Sequence, residues 1–124
     1  VQGYGSANWR LALYQSNTTP AATTTFADLT LATFSGYAET TPAFGAAAIY
    51  TDVNGTTRRG ITDTFQRSFI HNGGGVGNSI YGYVIYDASV NVVLWAERFD
   101  YTVVMVNNGE AIRITAQAYL DSAN

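Results

Sequence analysis

Short stretches in which apolar and polar residues alternate, each closed by a turn signal, constrain this chain more than any other feature. A period of two sorts side chains onto the two faces of a pleated strand, while a helix repeats its apolar face every three to four residues. Trp9, Leu11 and Leu13 alternate with Arg10, Ala12 and Tyr14, which predicts a strand over Trp9–Gln15 with the first set on one face. Ala46–Asp52 reads as a second strand, turned by Val53-Asn54-Gly55, whose Asn-Gly pair tolerates the positive φ of a tight hairpin turn. Ile61, Phe65 and Phe69 mark a third among threonines and polar residues. Two longer strands follow, Ser79–Asp87 and Asn91–Phe99, joined near Ala88-Ser89. A last hairpin is expected to join Tyr101–Val106 to Glu110–Leu120 through Asn107-Asn108-Gly109.

Strands so spaced predict an all-β protein: a single antiparallel β-sandwich or jelly-roll-like domain whose last two-thirds form a meander. At most one short helix is expected. Thr25-Phe26-Ala27-Asp28 has the spacing of a capping box with Asp in place of Glu, which predicts one or two helical turns ending near Ala32. Residues 1–8, polar and glycine-rich, read as an extended N-terminal arm, and residues 9–124 as the single β domain. A chain of 124 residues buries enough surface to fold without a disulfide or metal staple. It has no cysteine, which excludes disulfides, thiolate nucleophiles and cysteine-ligated zinc.

Only 12% of the residues are charged, against a usual share of about 25%. The net charge is −3, and the few arginines are scattered rather than gathered into the basic stripe that nucleic-acid binding begins with. No run approaches the ~18 consecutive apolar residues of a membrane-spanning helix. Neither nucleic acid nor membrane is therefore an expected partner. Threonine, serine and asparagine supply the polar surface instead, and a surface poor in charge suits a protein that lies against neighbours.

The search for chemistry is short. His71 is the only histidine, so every triad or histidine-metal arrangement must use it. It stands beside a glycine-rich loop, no G-x-S-x-G elbow accompanies it, and an exposed loop histidine is expected. Glu97 and Asp100 are three apart on a predicted strand, which puts them on opposite sides and argues against a carboxylate pair. Asp52 to Asp63 faintly matches a calcium loop but has Thr57 where glycine is needed and Arg58-Arg59 where a dication would sit. His71-Asn72-Gly73-Gly74-Gly75-Val76-Gly77 lacks the Gly-Lys ending of a phosphate loop and precedes a strand. Tyr81 and Tyr83 are expected on one face of their strand and Ile80, Val84 and Tyr86 on the other; Trp95 and Phe99 share a face of the next. Aromatics so placed could pack within the sheet or stack on sugar rings. No catalytic residue, cofactor or metal is expected. The partner-binding candidates are Tyr4 in the arm, Trp9, Arg58, Arg59, His71 and Asn72.

Four segments together resemble a family. They are Arg10-Leu11-Ala12-Leu13-Tyr14-Gln15-Ser16-Asn17-Thr18-Thr19-Pro20, then Phe26 through Ala38, then Ile80-Tyr81-Gly82-Tyr83, and finally Leu94-Trp95-Ala96-Glu97-Arg98-Phe99. In this order they resemble small β-rich structural proteins of tailed bacteriophages, including cyanophage-like viruses, over residues 10–120. The resemblance implies a virion component rather than an enzyme: a capsid cement or decoration protein bound to the major capsid protein at the capsid surface, or a part of a head or tail fibre. The Gly/Asn loop at 72–78 departs from the pattern. A homotrimer, held through the arm and an uncharged β face, is the expected assembly. The alternative is a carbohydrate- or receptor-binding β module.

Overall fold

The computed structural model describes residues 8–42, 47–51, 55 and 57–122. Six strands lie within them: β1 (Trp9–Tyr14), β2 (Ala47–Thr51), β3 (Thr57–Ile70), β4 (Asn78–Asp87), β5 (Val92–Met105) and β6 (Ala111–Ser122). They form two antiparallel three-stranded sheets, β1-β4-β5 and β2-β3-β6. The all-β, sandwich-like expectation holds. Leu11 and Leu13 of β1 and Tyr83 and Ile85 of β4 meet Phe69 of β3 and Ile112 and Ile114 of β6 in one buried cluster between the sheets. Each such side chain, fully buried, contributes roughly 1.5–3 kcal/mol.

The meander does not form. β2 and β3 are a hairpin, with Thr51 opposite Thr57, and so are β4 and β5, with Asp87 opposite Val92. β5 and β6, expected to pair, belong to different sheets, and β6 lies instead along β3, from Ile70 opposite Ala111 to Arg59 opposite Ser122. The reason is local. The Glu110 carboxylate accepts the Val106 N–H at 2.8 Å and the Asn107 N–H at 2.5 Å, which closes the turn on itself. His71 then donates its N–H to the Glu110 carbonyl and accepts the Gly109 N–H, each at 2.9 Å, which steers the outgoing chain onto β3. The Asn107 and Val106 N–H groups also hold the Glu110 carboxyl below its ordinary pKa.

β1 and most of β4, but not β5, are buried on both faces of the first sheet. Ala12, Tyr14, Val84 and Tyr86 point away from the inter-sheet core into a second cluster covered by Phe26, Leu29 and Leu31. The covering segment contains a single 3-10 turn, Phe26–Asp28, in place of the longer helix expected as far as Ala32. The capping signal is present, since the Asp28 carboxylate accepts the Thr25 N–H at 2.8 Å. The chain then extends because β1 takes its backbone groups. The Gln15 N–H reaches the Thr30 carbonyl at 2.7 Å, and the Ala32 N–H reaches the Leu13 carbonyl at 2.9 Å.

β4 does not keep one alternation along its length. Ile80 packs with Tyr83 and Ile85 between the sheets, while Tyr81 packs with Val84 and Tyr86 on the other side, so the expected grouping of Tyr81 with Tyr83 is wrong. Ile80 lies opposite Val103 and Gly82 opposite Arg98, so Tyr81 alone stands against residues 99–102 of β5. A bulge of this kind changes which face the following residues take. Gly82 is required there, because a Cβ would come within 2.2 Å of the Glu97 carbonyl oxygen and 2.5 Å of the Tyr14 hydroxyl. The expected arm lies outside the described residues except for Asn8, whose carbonyl accepts the Ala88 N–H at 2.8 Å.

Candidate functional site

His71 is the clearest correction to the sequence reading. It is 0% exposed, stacked on Phe34 with ring centroids 5.9 Å apart. Its Nδ1 accepts the Gly73 N–H at 2.9 Å, which leaves Nε2 to carry the proton and donate to the Val76 carbonyl at 3.0 Å. Gly73, at φ +90°, supplies the left-handed bend that lets the loop curl round the imidazole. Ser35 ties the loop down from outside: its hydroxyl accepts the Val76 N–H at 3.0 Å and its carbonyl the Asn72 N–H at 3.0 Å. The glycine-rich loop is thus built around a histidine whose two nitrogens are already used. His71 has no side-chain surface to offer a partner or substrate.

The other candidates scatter. Trp9 is 6% exposed and packed in the core, so it too cannot serve as a contact. Asn72 is exposed, and its side-chain oxygen accepts the Gly74 N–H at 3.0 Å. Arg58 and Arg59 are placed by their backbone in β3, opposite Tyr50 and Ile49. Tyr4 lies outside the described residues. Asp52 and Asn54 of the weak calcium match also lie outside them. Among the described residues no three of His, Cys, Asp and Glu gather as metal ligands would.

What the sequence reading passed over is β5. It is the outer strand of its sheet, and among the described residues nothing pairs with its free edge. Val92, Leu94, Trp95 and Val104 are exposed along it. Trp95 is 47% exposed while its indole N–H donates to the Tyr83 hydroxyl at 3.1 Å, so one side of a large apolar ring faces solvent from a fixed position. Burial, helped by the neighbouring Glu97 charge, pushes the Tyr83 hydroxyl above its ordinary pKa. On the opposite face Arg98 lies over the Tyr81 ring, 5.1 Å from its centroid, and donates to the Asn17 side chain at 2.7 Å.

Beside the bulge a cleft of about 460 Å³ opens between β5 and β6. Glu97 and Asp100 both line it, together with Tyr101 and Arg113. Both acids therefore border one recess, along a stretch where β5 is not a regular strand.

Compared with known proteins, the chain matches no family model, no curated protein and no solved structure.

Proposed function

We propose that this chain is a non-enzymatic structural protein of a bacteriophage virion, a capsid cement or decoration protein that binds the major capsid protein and stabilises the shell. The sequence resemblance supports the virion setting. One structural observation supports the mode of action: β5 presents an open strand edge with exposed apolar side chains on a chain of low charge. Edges of this kind recruit another chain unless charge or cover prevents it, and interface centres are depleted of charge. The single histidine is consumed by its own loop, which removes the side chain most often used for acid–base catalysis. Assembly as a homotrimer fits closed cyclic symmetry, and three tethered copies would hold a shell through individually weak contacts.

Imaging whole particles tests this. A cement protein sits in stoichiometric copies over an icosahedral shell. A receptor-binding module, the second reading, is few and distal; the cleft beside β5 is the observation in its favour. Finding the chain in neither place overturns both. Removing residues 1–7 should leave a folded domain with lower shell occupancy; full occupancy by a monomer refutes the arm and the trimer together.

A further inference from the structure

We infer that the cleft between β5 and β6 is a binding site for a neutral saccharide. Its volume, about 460 Å³, falls within the ~300–1,000 Å³ typical of small-ligand sites. Two features of the fold make it. β5 and β6 belong to different sheets, so no backbone ladder closes the gap between them. The bulge then sets residues 99–102 of β5 against Tyr81 alone, which bends the strand beside the opening.

The lining decides the ligand class. Asp100 and Arg113 both line the cleft, and among the described residues neither side chain makes a hydrogen bond or an ion pair. Two opposite charges left unpaired in one recess are open to a ligand rather than spent on the fold. An anionic ligand would meet the carboxylates of Asp100 and Glu97, and a cationic one the guanidinium of Arg113. An uncharged ligand rich in hydroxyls meets no such penalty. Its O–H groups donate to Asp100, its oxygens accept from Arg113, and hydrogen bonds to ionised groups are the stronger kind. Tyr101 supplies the remaining element. It is 75% exposed, and a ring so free of the core offers its flat face to the C–H side of a sugar. Phe99, Val103 and Ile112 make the floor apolar. An extended peptide fits less well in the cleft itself, because strand addition needs a regular edge and the bulge interrupts β5 at residues 99–102, away from the exposed Val92, Leu94 and Trp95.

The inference concerns the cleft alone and does not depend on where in a particle the chain sits. Its test is a glycan array probed with the intact chain, followed by NMR titration with the best neutral and acidic sugars. Neutral glycans should be retained, and resonances of residues 97–101 and 111–113 should shift. Asp100→Asn, Arg113→Gln and Tyr101→Ala should each weaken binding by about tenfold or more with melting temperature preserved. Val90→Ser, an exposed change in the turn outside the cleft, should leave affinity unaltered. Retention of acidic glycans or peptides in preference to neutral sugars overturns the inference. So does the absence of any neutral binder at millimolar concentration, or equal binding by the three variants.

Discussion

Along β1, Leu11 exchanges both backbone hydrogen bonds with Thr40, Leu13 gives its N–H to the Tyr37 hydroxyl at 3.2 Å, and its carbonyl accepts from Ala32. Across the same sheet, β5 has no such cover among the described residues and carries exposed valines, a leucine and a tryptophan along its free edge. Both are outer strands of one sheet, built on the same central β4, yet one is sealed and the other is left open. An open apolar edge is a hazard that folded chains ordinarily remove. A chain that seals one edge residue by residue, even recruiting a tyrosine hydroxyl where no carbonyl reaches, shows that its fold has the means to do so. Leaving the other edge bare is then the feature that points outward.

The strand shared by both edges is where the contrast is most easily destroyed. Gly82→Val should destabilise by about 3 kcal/mol, because the new side chain meets the Glu97 backbone and the buried Tyr14 ring. Urea unfolding measures it, and a loss below ~0.5 kcal/mol would mean that the close approach is not needed. Tyr37→Phe is subtler. The ring still packs between Phe34 and Phe69, whose centroids lie 5.3 and 5.8 Å away, but the Leu13 N–H loses its partner, at a cost of about 1–3 kcal/mol.

High pH should loosen the sealed edge without any substitution. Burial raises the Tyr37 hydroxyl from 10.0 to about 12, and burial with the hydrogen bond to Glu39 pushes Tyr86 up as well. A raised folded-state pKa means that the folded form holds its proton longer. The stabilisation is therefore complete below pH 10 and is lost as pH climbs through about 12. Tyrosinate absorbance should show delayed groups titrating together with a falling urea midpoint, and Tyr37→Phe should flatten that fall. The smallest effect on stability is expected on the open side. Val92→Lys and Leu94→Lys should change it by no more than about 0.5 kcal/mol while abolishing retention on shells. A large loss of stability would show that β5 is less exposed than its edge position implies, and undiminished retention would show that the edge is not the contact.

The sheet-forming character was legible because Leu11 and Leu13 alternate with Ala12 and Tyr14, and that alternation survives folding. That Ala12 and Tyr14 would also be buried was not legible. The segment covering them is mostly extended and irregular, and such chain carries no periodicity to announce what it packs on. The phase change in β4 was hidden for a related reason. Gly82 marks where a bulge can form, but the extra residues that create it lie in β5. Asn107-Asn108-Gly109 reads correctly as a turn, while the sheet that receives β6 is chosen by backbone groups of His71, far away in sequence. His71 itself was misread because both its partners, the Gly73 N–H and the Val76 carbonyl, are main-chain atoms that every sequence contains. The cleft escaped notice because Asp100 and Arg113 come together only through the crossing from one sheet to the other.

The pairing of Trp9 with Asp87 has a consequence for the order of events as the chain is made. At roughly 5–20 residues per second, β1 leaves the ribosome several seconds before β4 exists. During that interval the segment through Thr40 is already available and can sheathe the edge of β1 with the same hydrogen bonds it makes at the end. The outer edge of β1 can then be sealed early, while its β4-facing edge is the one that waits longest during synthesis. The bare edge of β5 emerges late, directly after the strand it pairs with. Because its central pairing joins residues so distant in sequence, the domain should fold on the ~millisecond-to-second scale of β proteins rich in non-local contacts.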